Sequence, residues 1–365
     1  MKVLILAADY PDLNGNINLY YIHTRSKYYI SKGIELEVLN FSAKECYEID
    51  GIKVITLDEY KCNYINKKYN ILILHAPNLR NHYRFLKTYG QRFDKYLFFF
   101  HGHEVLKINK DYSKPYSYVK VKNKILQNIY DVIKLKIWKI YFKRNIKKSY
   151  FIFVSNWMKE MFLKNTKIEE QMIKNHTFIT YNSVGKEFQE NNYDKEREKK
   201  YDFITIRGNL DGSKYCIDII NQLAFQNENS NFIIVGKGRY FSVFEKAPNI
   251  VWLNKYCNHT EIIELLNNAK CALMPTRTDA QGLMMCEMAT FGIPMITSDI
   301  SVCHEVLDSF NNVEFINNDN IEKQNIIEKY NTILNKMDNK KNDTYFLEKN
   351  CDNEIKIITK ISNED

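Results

Sequence analysis

The sequence predicts an α/β protein built from two doubly wound parallel-sheet domains facing each other across a cleft. Three observations predict it. Short apolar runs alternate with helical patterns almost from end to end, and most of the runs are apolar on both faces. Strands covered by helices on both sides of a parallel sheet require that pattern, whereas half-exposed strands alternate. The alternation pauses once, over 185–200, a stretch rich in Lys, Glu and Asn with no apolar period, and then restarts. A length of 365 residues suits two such domains rather than one or four.

In chain order, the first half reads as strands at 3–8, 36–40, 53–57, 71–75, 96–101, 151–155 and 178–181. A helix over 17–31 is entered after the turn Asp12-Leu13-Asn14-Gly15. The second half reads as strands at 203–206, 232–235, 251–253, 272–275, 295–297 and 313–316. Helices at 213–225, 260–269, 282–291 and 320–336 separate them. The expected organisation is therefore an N-terminal domain over 1–184, a linker over 185–200 and a C-terminal domain over 201–340. A tail over 341–365 is too weakly periodic to assign a packing partner.

Composition narrows the class. With 45% hydrophobic and 26% charged residues each half can bury a core, which excludes global disorder. No apolar run approaches the roughly 20 residues of a membrane span. The apolar start, Val3 to Ala8, is too short for a secretory core, so a cytoplasmic location is expected. Eight cysteines are scattered without a Cys-x-x-Cys pair, which fits reduced thiols better than zinc or a disulfide scaffold. The net charge of +8 is concentrated: 114–148 holds eleven Lys or Arg and one acid, leaving the remainder slightly acidic. Lys134, Lys136, Trp138, Lys139, Lys143 and Arg144 are its candidate membrane or acceptor patch, because cations beside aromatic rings suit an anionic lipid surface. The competing reading is a solvated face packed on the N-terminal domain. No nucleic-acid motif accompanies the patch, and nucleic acid is not expected as a partner.

The densest chemistry lies in Pro275-Thr276-Arg277-Thr278-Asp279-Ala280-Gln281-Gly282-Leu283-Met284-Met285-Cys286-Glu287, followed by Met288-Ala289-Thr290-Phe291-Gly292-Ile293-Pro294. A strand ends near Pro275, a loop carries Asp279, and a helix begins near Gly282. Open α/β sheets seat ligands at the carboxyl edge of their strands, and a helix N-terminus offers N–H groups and partial positive charge to phosphate. Glu287, a little over one turn into the helix, can accept hydrogen bonds from two neighbouring hydroxyls, as on a ribose.

This run resembles the donor-site signature of retaining family-4 glycosyltransferases (glycosyl transferases group 1), commonly E-G-x-G-L-x-x-x-E-A-M-A-x-G-x-P. Asp279 stands at the first acid, Gly282 and Leu283 at the Gly-Leu, Glu287 at the second acid, and Gly292 and Pro294 at the closing pair. Asp replaces the usual Glu at 279 and Ala replaces a Gly at 280. Further along, Asn14-Gly15-Asn16 occupies the place of the family's Gly-Gly loop. Arg207-Gly208-Asn209-Leu210-Asp211-Gly212-Ser213-Lys214 is similar to its G-R-L-x-x-x-K-G segment, and Val235-Gly236-Lys237-Gly238 to its V-G-x-G turn. His101, in His101-Gly102-His103-Glu104, matches H-G-x-[DE].

The resemblance implies the GT-B fold of two Rossmann-like domains, and a retaining, metal-independent transfer of a sugar from a nucleotide-diphospho-sugar to a hydroxyl acceptor, a lipid-linked or surface-polysaccharide precursor. It implies no cofactor beyond the donor substrate. Asp279 would hold the donor sugar, with Ala280, Gln281, Gly282 and Leu283 lining it. Glu287 would hold the ribose, Arg207 and Lys214 the diphosphate, Gly15 and Gly236 would allow close approach of the phosphates, Tyr256 would lie at the nucleobase, and His101 at the reacting junction. A metal at His101, His103 and Glu104 is not expected, because no further ligands cluster there. Two other classes stay open: a nucleotide-sugar epimerase of the same fold, and a non-catalytic basic protein binding membrane or nucleic acid. No P-loop, nucleophile elbow or dinucleotide fingerprint is present.

Overall fold

The computed structural model describes every residue except Ile17, Lys122, Asn339 and Asp365. The chain divides into two compact units. The first comprises Met1–Lys107, Ile129–Ser183 and Leu347–Asp365, the second Ile108–Asn128 and Val184–Phe346.

The first unit is organised on an eight-stranded sheet: β1 (Lys2–Ala7), β2 (Glu35–Asn40), β3 (Tyr47–Ile49), β4 (Ile52–Ile55), β5 (Ile71–His75), β6 (Tyr96–Phe100), β7 (Ser149–Phe153) and β8 (Thr177–Ile179). Their spatial order is β3-β4-β2-β1-β5-β6-β7-β8. Every pairing is parallel except β3 with β4. β5, β6 and β7 are buried along their whole length, as their unbroken apolar runs require. β3 is an edge strand outside the expected set. It is joined to β4 by Asp50 (φ 51°) and Gly51 (φ 76°), a two-residue turn with both residues left-handed, whose twist suits a tight hairpin.

The second unit carries a six-stranded, wholly parallel sheet: β9 (Tyr201–Asn209), β10 (Phe232–Lys237), β11 (Ile250–Leu253), β12 (Ala269–Leu273), β13 (Met295–Ser298) and β14 (Val313–Ile316). The order is β11-β10-β9-β12-β13-β14, so strand succession reverses between β9 and β12. That switch point opens a crevice at the carboxyl ends of the strands, because the loops after β9 and β12 leave toward opposite faces.

The structure adds to the expectation at one boundary and differs from it at another. The tail, to which the sequence assigns no packing partner, belongs to the first unit: helix Leu347–Asn363 buries Cys351, Ile357, Ile358 and Ile361 in its core. Arg25 fixes it there, its Nε 3.0 and 3.2 Å from the two carboxylate oxygens of Glu354. Tyr29 donates its hydroxyl to the same carboxylate, and Arg25 also donates to Asn182 Oδ1 at 3.0 Å. A buried ion pair offsets the desolvation of its charges only when further hydrogen bonds satisfy the remaining donors and acceptors, as Tyr29 and Asn182 do here. The difference is 108–128, which the sequence places in the N-terminal domain and the structure places in the second unit. Its anchors include Tyr116 and Tyr118, packed against the second unit's core, and two aromatic residues are too few to give an apolar period to read.

The linker also has structure. Helix Lys186–Glu190 lies against helix Leu283–Phe291, with Phe188 buried and its ring edge-on to Phe291.

Candidate functional site

Most of the sequence-predicted donor residues converge at the carboxyl edge of the second sheet, on the loops flanking the β9/β12 switch point. Lys214 and Asp279 come from the two different loops and meet, Nζ to Oδ2, at 3.8 Å, both half-buried. Asp279 also accepts from the amide of Ala280 at 2.8 Å, which aims its carboxylate back over the loop. Ala280 and Gln281 are buried. Gly282 follows with φ 71° and caps helix Leu283–Phe291, whose first turn no side chain caps. Met285 and Cys286 donate their amides to the Gly282 carbonyl at 2.9 and 3.2 Å, and the partial positive charge of such a helix N-terminus is one that an anion would complement.

Glu287 sits inward on the same helix and is 4% exposed. It accepts from the amide of Gly185 at 3.3 Å. Burial pushes its pKa up to about 7; the nearby His259 and the Gly185 amide act in the opposite sense, and Glu187 adds to the rise. His259 Nδ1 in turn lies 2.9 Å from Glu187 Oε2. Gly185, Glu187 and His259 are the site's neighbours that sequence reasoning missed, since no spacing rule connects them to Glu287.

Arg207 is at the end of β9, buried, with its Nη2 donating to the carbonyls of Met274 and Pro275 at 3.0 and 2.8 Å. Its Nε has no partner among the described residues, and its guanidinium lies 5.0 Å from the ring centre of Tyr215. So Arg207 clamps the ends of β9 and β12 together while keeping an uncommitted donor, and burial lowers its pKa from the usual guanidinium value. Gly236 is required by packing: at φ 146°, a Cβ there would stand 1.9 Å from the Arg207 carbonyl oxygen. Tyr256, beyond β11, is exposed, with Lys237 Nζ 4.6 Å from its ring centre. Leu283 is half-buried.

Gly15 and His101 belong to the first unit. Gly15 (φ 91°) is exposed in the turn after β1, with open space where a Cβ would go. Asp12 holds the turn by accepting from the amides of Asn14 and Asn16 at 2.8 and 3.1 Å. His101 follows β6, its Nε2 3.2 Å from Nδ1 of His75 and its ring 4.5 Å from that of Tyr21. Burial, and then the Arg25 charge, hold it well below the usual imidazole range, so it is a neutral hydrogen-bonding group. Glu104 shapes its turn by accepting from the amides of His101 and Gly102 at 3.0 and 2.6 Å. Among the described residues, no group of three or more His, Cys, Asp or Glu is arranged to hold a metal ion.

The basic patch is corrected at two positions. Lys134 is buried, donating to the carbonyls of His103 and Leu106 at 3.1 and 2.8 Å and pairing with Asp131 at 3.0 Å. It therefore anchors the turn that follows His101. Trp138 is wholly buried, stacked on Phe142 at 5.2 Å and edge-on to Phe98. Both lie on the inner face of helix Lys124–Arg144, which needs apolar packing against β6. Lys136, Lys143 and Arg144 are exposed and Lys139 half-exposed on the other side.

Residues 203–336 match the family model described as Glycosyl transferases group 1. Over this segment, rather more than a third of the chain, the sequence is similar to that family. Outside it, the whole chain shares its fold with solved structures. Sucrose-phosphate synthase from Thermosynechococcus elongatus is similar at a TM-score of 0.71 and 11% identity, covering 99% of this chain and 98% of that one. WaaG, a glycosyltransferase involved in lipopolysaccharide biosynthesis, is similar at 0.61 and 13%, covering 98% and 99%. The catalytic domain of starch synthase IV from Arabidopsis thaliana, bound to ADP and acarbose, is similar at 0.58 and 10%, covering 100% and 99%. At these identities the likeness establishes the GT-B fold. No curated protein matches the chain by sequence. The carboxyl-edge cluster around Lys214, Asp279 and Glu287 lies inside the matched segment.

Proposed function

We propose that the chain is a retaining glycosyltransferase that moves a sugar from a nucleoside-diphosphate donor to a hydroxyl of a lipid-linked or surface-polysaccharide precursor, without a metal ion. The observation that carries this reading is the meeting of Lys214 and Asp279 at 3.8 Å beside a helix N-terminus, at a sheet switch point, with Glu287 buried one turn farther along. That arrangement offers positive charge to a diphosphate and two carboxylates to hydroxyls.

In this mechanism Lys214 and the helix N-terminus neutralise charge as the diphosphate leaves, and Arg207 holds the strand ends that carry them. Asp279 orients the sugar, and Glu287 grips the ribose hydroxyls. The departing phosphate takes the acceptor proton on the face from which it leaves, so the anomeric configuration is retained. The protein supplies orientation and electrostatic stabilisation rather than a base. His101, neutral and fixed by His75, donates to or accepts from a substrate hydroxyl. Removing Lys214 would cost about 3–4 kcal/mol of transition-state stabilisation.

The test is a panel of nucleotide sugars incubated with and without glycan or lipid-linked acceptors, the product's anomeric configuration being read by NMR. An acceptor-dependent product with the donor's configuration supports transfer. A change in the donor's sugar with no acceptor present would favour an epimerase instead.

A lipid acceptor is favoured by the outer face of helix Lys124–Arg144. Ile129, Val132, Ile133 and Ile140 are 49%, 59%, 49% and 41% exposed, and they share that face with Lys136, Lys143 and Arg144. Their spacing of three and four residues makes one amphipathic stripe with cations on it, which suits the interface of an anionic bilayer. Among the described residues no helix is long and apolar enough to cross a membrane. We expect the chain to co-sediment with anionic but not neutral vesicles, at about 1 kcal/mol per engaged cation. Lys136→Glu with Lys143→Glu should release it; equal sedimentation with both vesicle types would refute the docking.

A further inference from the structure

The loop that carries Lys214 is held by a second set of residues to which the mechanism gives no role. Arg277, in the loop after β12, donates from its backbone amide to the Lys214 carbonyl at 2.9 Å. Thr276 Oγ1 donates to the same carbonyl at 3.0 Å. The Arg277 guanidinium reaches the Ser213 carbonyl at 2.7 Å and spans both carboxylate oxygens of Asp218 at 3.0 and 2.6 Å. Asp218 lies in the first turn of helix Ile217–Gln226, just after the loop. A planar guanidinium bridging a carboxylate and a carbonyl fixes both direction and distance, which a lysine could not.

The outer partners come from 108–128, far away in sequence. Tyr116 donates its hydroxyl to Asp218 Oδ1 at 2.9 Å, Tyr118 to Asp211 Oδ1 at 2.7 Å, and Ser113 Oγ lies 2.8 Å from Ser213 Oγ. Asp211 also accepts from the amide of Arg239 at 2.7 Å. The rings of Tyr116 and Tyr118 stack at 6.0 Å and lie edge-on to Phe244. Three bonds from one short segment thus land on both ends and the middle of 211–218.

We propose that Arg277 is a positioning residue for Lys214, and that 113–118 is a strap which, through Tyr116 and Asp218, holds Arg277 and the 209–216 loop in their anion-binding form. The argument rests on the proposed role of Lys214 at the diphosphate. An ion pair between Arg277 and Asp218 that is only partly exposed does not need this many further bonds for stability. What they achieve together is a fixed backbone at 213 and 214, with the lysine side chain directed to the Asp279 side of the loop.

The experiment uses the full chain with inorganic pyrophosphate as the probe, titrated calorimetrically, and hydrogen exchange of 209–216 as a second readout. Tyr116→Phe removes one hydroxyl and keeps the stacked ring; Arg277→Met removes the clamp. We expect exchange in 209–216 to rise at least fivefold in both variants, and pyrophosphate affinity to fall five- to thirtyfold. In a Lys214→Met background, Arg277→Met should lower the remaining affinity less than twofold, because it acts through the lysine. Unchanged exchange in 209–216 would overturn the strap, and an equal loss in the two backgrounds would overturn positioning. If the unaltered chain binds no pyrophosphate, or Lys214→Met leaves its affinity unchanged, while exchange responds as expected, the diphosphate reading itself fails and the positioning role with it.

Discussion

Replacing Glu287 with Gln should stabilise the second unit and weaken the proposed donor binding at the same time. The buried carboxyl titrates near 7, against 4.5 for its ordinary value. Between those pH values the folded chain holds a proton that the unfolded chain releases, so stability falls as pH rises through this window and the loss is complete above it. At 1.36 kcal/mol per unit, the penalty at pH 8 is about 3 kcal/mol, shrinking to about 1 kcal/mol at pH 5. Gln has the shape of the protonated acid and can still accept from the Gly185 amide. Glu287→Gln should therefore be more stable than the native chain by about 3 kcal/mol at pH 8 and by much less at pH 5. Hydrogen exchange of helix Leu283–Phe291 at the two pH values reads the difference. Because hydroxyl bonds to a charged acceptor contribute about 1.5–3 kcal/mol, donor affinity should fall by roughly ten- to a hundredfold. Equal protection of native and variant helices at pH 8 would refute the buried-charge reasoning, and an unaltered donor affinity would refute the ribose role.

Other changes separate packing from conformation. Gly236→Ala would drive a Cβ into a backbone oxygen, at 1.9 Å, and should cost more than about 3 kcal/mol, beyond ordinary overpacking. Gly282→Ala meets only the flexible end of Met285 and should cost about 1–2 kcal/mol from its left-handed backbone; urea unfolding of the two variants should rank them in that order. Arg25→Met strands Glu354 without its ion-pair partner and should cost about 3–5 kcal/mol, freeing helix Leu347–Asn363 to proteolysis. Adding Glu354→Leu should restore much of the protection, and a protease-resistant single variant would contradict the anchoring.

Much of this architecture was legible because parallel strands are read from continuous apolar runs. The runs at 71–75, 96–101 and 232–235 leave little other choice. The candidate cluster was legible in Asp279, Gly282 and Glu287 because a strand–loop–helix turn and the resemblance to the family signature both single out those positions. What stayed hidden depends on partners distant in sequence. The Glu354 carboxylate on the tail helix looks like any solvated acid until Arg25 meets it, 329 residues away. Lys134 and Trp138 read as surface patch because charge density marks a segment, not which side of a helix each residue occupies. The 113–118 strap is short, so no periodicity announces it. β3 was missed although its Asp50-Gly51 turn is a hairpin signal, because three residues are too few to show alternation.

The central claim is that the carboxyl edge of the six-stranded sheet receives a nucleoside diphosphate. Calorimetric titration of a series of nucleoside diphosphates into the native chain and into Lys214→Met tests it most directly. The account predicts saturable binding of at least one of them by the native chain, weakened ten- to a hundredfold in the variant. Binding of equal strength to both proteins, or to neither, would contradict it.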